Sequence, residues 1–60
     1  MRFVIRRSTD GEFWWQLVGR NGEVMASSEQ MTRKQSCVDS IASVQRGAAE
    51  AEVVDKTDED

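Results

Sequence analysis

A sixty-residue chain with one cysteine and no histidine has almost nothing with which to staple itself together. Folding a chain of this length hides only about 60% of the surface that its unfolded form exposes. Small domains make up the shortfall with disulfides, a structural metal or association. Cys37 has no second thiol to pair with inside one chain, and the common zinc ligand sets need histidine or further cysteines. The composition therefore predicts a single domain without cofactor or metal, and leaves self-association as the remaining device.

Turn chemistry divides the chain. Phe3 to Arg7 reads as a strand that ends at the turn formers Ser8, Thr9, Asp10 and Gly11. Phe13 to Val18 alternates as a second strand, with Phe13, Trp15 and Leu17 on one face and Trp14, Gln16 and Val18 on the other. Asn21-Gly22 between apolar runs predicts a type I′ hairpin, and Glu23 to Ser27 returns as a third strand with Val24 and Ala26 on a shared face. After Ser27 the period changes. Thr32 and Gln35 have the spacing of a capping box, so a helix is expected to start there. Cys37, Val38, Ile41, Val44 and Ala48 line one stripe of it, with Arg33, Asp39, Ser43 and Arg46 outward. Gly47 is the expected left-handed stop. Ala48 to Asp55 alternates again and is expected to form a fourth strand.

The fold class that emerges is α+β: a β-β-β-α-β module over residues 1–55, with an antiparallel sheet packed on one helix. Its core is expected from Phe13, Trp15, Leu17, Val24, Ile41 and Val44, which leaves Trp14 and Val18 uncovered on the reverse of the sheet. Charge sets the last residues apart. Residues 1–54 carry seven Lys or Arg and seven Asp or Glu, so the net charge of -3 arises entirely from residues 55–60. A short acidic terminus of this kind buries too little to offset its ordering entropy, so 56–60 is expected to be a disordered tail. Met1 to Arg7 lacks the apolar core of a signal peptide, and no run approaches the 18 apolar residues of a membrane span. A cytoplasmic location away from membranes is the expectation.

The order Asp10-Gly11, Phe13, Trp15-Gln16-Leu17, Asn21-Gly22-Glu23-Val24, Ser28-Glu29, Thr32 to Lys34, then Ile41 and Val44, resembles the YegP-like small domains of unknown function. The resemblance covers about two thirds of the chain. It departs at Met31, which stands where a tyrosine is usual. The resemblance implies a β-β-β-α-β module used in pairs, as tandem copies or as a dimer, with last strands exchanged into a shared sheet. Only one copy fits here, so the expectation is a homodimer whose interface includes Ala49, Ala51, Val53 and Val54. It carries no catalytic residues over.

Three function classes can be weighed. An enzyme would need an activated group, yet the usual neutral-pH base is missing, Cys37 lies on the core stripe, and Asp10 and Glu12 flank a turn glycine. No glycine-rich phosphate loop follows a strand. A nucleic-acid-binding accessory protein could use Arg2, Arg6, Arg7, Arg20, Arg33 and Lys34 with Trp14 as a stacking platform, although the body of the chain is electrically neutral. The leading class is a non-catalytic homodimeric interaction module, presenting a surface to a macromolecular partner. One local conflict marks a contact point. Arg33 and Lys34 sit at the helix start, where the macrodipole disfavours cations, so an anion or a partner's acidic tail would be welcome there, with Trp14 as a further candidate contact.

Overall fold

The computed structural model describes residues 1–58. The strands β1 (Arg2–Arg7), β2 (Phe13–Val18) and β3 (Val24–Ser27) form one antiparallel sheet in the order β1-β2-β3. The helix α1 (Lys34–Gly47) follows, and a 3-10 turn over Ala48–Glu50 closes the regular structure. Register places Phe3 beside Leu17, Ile5 beside Trp15 and Arg7 beside Phe13, so these six share the face that α1 covers. Arg2, Val4 and Arg6 lie opposite Val18, Gln16 and Trp14 on the reverse face.

The two connections within the sheet are built alike. Gly11 N donates to Ser8 O at 3.0 Å and Ser8 N to Glu12 O at 2.8 Å; Gly22 N donates to Gly19 O at 3.0 Å and Gly19 N to Glu23 O at 2.8 Å. Gly11 and Gly22 have φ of 88° and 83°, and among the described residues no other residue type has a positive φ. Each loop is thus a three-residue connection with a left-handed glycine at its end. The expected type I′ turn is corrected, because Asn21 stays at negative φ and instead its side-chain oxygen accepts from Glu23 N at 3.1 Å.

Trp15, 7% exposed, and Cys37, 0% exposed, are the buried apolar residues. Phe3 meets Trp15 edge to face with ring centroids 5.4 Å apart, and Phe13, Leu17, Ile41 and Val44 are half-buried. Val24 leaves the expected core at 51% exposure. The cause is a register shift: Leu17 pairs with Ala26 while Val18 pairs with Val24, so Met25 is extra and Val24 joins the row of Val18 rather than that of Ala26. Val38, 43% exposed, and Ala48 also lie off the buried stripe.

Both helix ends differ from the expectation. Met31 and Phe13 exchange backbone bonds of 2.6 and 2.7 Å, an isolated bridge that holds the chain extended beyond the end of β3. Arg33 keeps extended angles and becomes the N-cap, without a side-chain cap bond, so the Thr32–Gln35 capping box does not form. Gln35 Nε2 donates to Asp39 Oδ1 at 3.0 Å instead. At the other end Gly47 has φ -108°, not a left-handed value, and the chain tightens into the 3-10 turn. Ala48–Glu50 is therefore not strand, and Ala51 to Asp55 runs on without a ladder partner among the described residues. Lys56, Thr57 and Asp58 are exposed, with Thr57 N and Oγ1 donating to Asp55 Oδ1 at 2.9 and 2.7 Å. The remainder of the expected disordered tail, Glu59 and Asp60, lies outside the described residues.

Candidate functional site

The helix lies over β2 and is fixed there by polar contacts as well as packing. Cys37, Ser40, Ile41 and Val44 recur at steps of three, one and three, so a serine falls inside an apolar stripe. Trp15 Nε1 donates to Ser40 Oγ at 3.0 Å, and Trp15 N donates to Ser28 Oγ at 2.9 Å. No buried side-chain nitrogen or oxygen among the described residues lacks a partner. In the sequence Ser28 stood out only as part of the Ser28-Glu29 motif, and Ser40 was not singled out. Ser40 had a usable signal, a small hydroxyl on the stripe facing a tryptophan that needs an acceptor.

The β1 flank of the same face is open. One groove of about 530 Å³ is lined by Phe3, Leu17, Val44, Ala48 and Ala49 with Met1, Arg2 and Gln45. A second of about 600 Å³ is lined by Phe3, Ile5, Phe13, Arg6, Arg7 and Lys34. They share Phe3, so together they follow β1 from the end of α1 to its start. Among the described residues the outer edge of β1 has no neighbouring strand. Its floor is apolar and its far end is cationic: the Arg7 guanidinium carbon stands 5.7 Å from the Phe13 ring centre, and Lys34 begins a helix with no acid in its first turn. Among the described residues no carboxylate pairs with Arg7 or Lys34.

The cations grouped by sequence do not form one surface. Arg7 and Lys34 meet at the cationic end of the groove. Arg6 lies in the reverse row beside Trp14, with its Nε donating to Gln16 Oε1 at 2.6 Å. Arg2 and Arg20 line a hollow of about 360 Å³ with Met1, Val18, Gly19 and Gly22, which shares Met1 and Arg2 with the first groove and lies at the end away from Arg7 and Lys34. Arg33 is exposed at the N-cap, lining none of these hollows, and Trp14 is half-buried. Phe3 and Ile5, which floor the groove, were not among the residues singled out in advance. The interface residues Ala49, Ala51, Val53 and Val54 are all exposed, Val53 at 93% and Val54 at 61%.

Two aspartates have perturbed acidity. The Ser8 hydroxyl donates to Asp10 and holds its carboxyl below the ordinary value of 3.8, which places Asp10 in the turn structure that Ser8 also ties to Glu12 N at 3.1 Å. The Thr57 amide and hydroxyl likewise lower Asp55. No cluster of three or more His, Cys, Asp or Glu side chains suited to a metal occurs among the described residues, and no helix there is long and apolar enough to cross a membrane.

Residues 8–55 match the family model described as Domain of unknown function (DUF1508). The chain belongs to this family. It is similar to two curated proteins of Agrobacterium fabrum, the UPF0339 proteins Atu5359 and Atu0232, with 36% and 38% identity over 56 residues, 93% of this chain and 90% of each relative. Among solved structures it is similar to a protein from Haloferax volcanii determined by NMR in solution, at 31% identity and a TM-score of 0.79, covering 90% of this chain and 92% of that one. The resemblance drawn from the Asp-Gly, aromatic and Asn-Gly-Glu-Val motifs thus holds: the chain is a small domain of a family whose function is unknown.

Proposed function

We propose that the chain is a non-catalytic interaction module that works in the cytoplasm as a homodimer, each copy's C-terminal segment completing the other's sheet along β1. One observation carries this reading: a segment outside any helix or strand, with Val53 and Val54 exposed, coexists with an apolar groove beside a strand edge that is unpaired among the described residues. The backbone of such an edge is a template for another strand, and burying the two valines supplies apolar area that a domain this small needs. Segment, groove and edge are present in every copy, as a two-fold exchange requires. The assembled pair then offers its outer sheet face, with Trp14, Val18 and Val24, to a macromolecular partner.

The test is light scattering at micromolar concentration on the full chain and on a variant lacking residues 49–60. Twice the 6.8 kDa chain mass for the first, and loss of folding for the second, are expected. A folded full-length monomer refutes the dimer, and a folded monomer lacking 49–60 refutes the exchange. The alternative, a nucleic-acid accessory protein, draws on Arg7 and Lys34 at one corner; retention on heparin at low salt, lost as salt rises, would favour it.

A further inference from the structure

Resting on the exchanged dimer, we infer that the segment enters the groove in the direction of β1 and that Asp55 of one copy closes on Arg7 and Lys34 of the other. Three observations converge. The first is pattern. Along β1 the residues facing the helix are Phe3, Ile5 and Arg7, and in the segment Ala51, Val53 and Asp55 share the same two-residue period. Laid parallel, Ala51 meets Phe3, Val53 meets Ile5, and an acid meets Arg7. Laid antiparallel, the same apolar match leaves Arg7 opposite an alanine and carries Asp55 back to Phe3 or beyond the strand. On the other face the parallel register sets Glu50 beside Arg2.

The second observation is charge. The groove ends at two cations that pair with no carboxylate among the described residues, one of them at a helix start that lacks acids. The segment turns acidic at Asp55, after a body with balanced charge. The Asp55 carboxylate is already held by Thr57 and keeps its charge to lower pH than a free aspartate. The third is exposure. Residues 51–58 are exposed and lie in no helix or strand, so the segment is accessible to a second copy.

The same acid would then serve as an ionic latch at the end of an apolar strand, making the dimer sensitive to salt. The experiment compares wild type, Arg7→Glu, Asp55→Arg and the double variant carrying both changes in one chain, by concentration-dependent sedimentation at low and high salt. Each single change should raise the dimer dissociation constant about tenfold at low salt, the contact occurring twice per dimer. The double variant should return close to wild type, and added salt should weaken wild type more than either single variant. Should a reversal fail to fold, Arg7→Gln and Asp55→Asn are the milder pair, with the same direction of effect. Dimers of unchanged affinity in both single variants would overturn the latch and leave the dimer standing. A wild-type monomer would remove the dimer itself, and charge-swap rescue of stability in a monomer would place the contact within one chain and overturn the inference.

Discussion

The central strand β2 and the edge strand β1 present similar residues on the helix-facing side of the sheet and have different fates. On β2, Trp15 is enclosed by α1, has its indole nitrogen satisfied by Ser40 and its backbone nitrogen by Ser28. On β1, Phe3 and Ile5 belong to the same face but remain half-buried beside a groove. The fourteen-residue helix packs on the central strand β2, and at a diameter of roughly 10 Å it does not span three strands at the spacing of about 4.8 Å in a sheet, so β1 is only partly covered and β3 is exposed. The difference teaches that one helix leaves the edge strands of a three-strand sheet incompletely covered, and that a partner is an economical way to fill the groove along β1.

The comparison can be broken most decisively at Trp15. Trp15→Ala should cost about 3–5 kcal/mol, enough to abolish most of a small domain's stability. Ile5→Ala should act differently, leaving secondary structure in place at high concentration while raising the dimer dissociation constant. Equal thermal melts for the two variants across a hundredfold range of concentration would erase the distinction between the two strands. Ser40→Ala comes next, at about 1–3 kcal/mol, because it strands the Trp15 indole nitrogen under the helix. A loss below about 0.5 kcal/mol in urea unfolding would mean that this nitrogen reaches water.

Glycines sharpen the picture at the ends of elements. Gly22→Ala should destabilise by about 1–2 kcal/mol, since its φ of 83° is left-handed. Gly47→Ala should stabilise by about 0.5–1 kcal/mol, because its φ is ordinary and nothing lies within 4 Å of an added methyl. Matching signs in the two unfolding curves would contradict those backbone angles. The smallest effect concerns Asp10. A carboxyl held below 3.8 contributes stability that is present above that value and lost as pH falls through its lower folded value. Asp10→Asn should therefore lose a small part of the neutral-pH stability, converge on wild type in acid and flatten the acid limb below about pH 4. A variant that parallels wild type throughout that limb would show that the Ser8 contact does not persist in solution.

Strand order, the helix stripe and the burial of Trp15 and Cys37 were legible because period-two and period-3.6 patterns report directly on which face is buried. The errors came from non-local pairing. Val24 left the core because of a bulge at Met25, which sets Val24 opposite Val18 on another strand. The capping box at Thr32 lost to the Met31–Phe13 bridge, a contact across eighteen positions that no local motif announces. Gly47 could stop a helix but was not required to, since the chain had room to tighten into a 3-10 turn. Of the groove, Arg7 and Lys34 could be picked out from charge. Phe3 and Ile5 could not, because whether a strand residue faces a helix or a vacancy depends on where the helix lies.

The central claim is that the β1 flank is filled by the C-terminal segment of a second copy, and isotope-filtered NMR addresses it most directly. In a one-to-one mixture of labelled and unlabelled chains, the account predicts intermolecular contacts from the Val53 methyls to the Phe3 ring and the Ile5 side chain, with slowed exchange at amides between Ala51 and Val54. Absence of any intermolecular contact from Val53, together with those amides exchanging at the rate of an unstructured peptide, would contradict it.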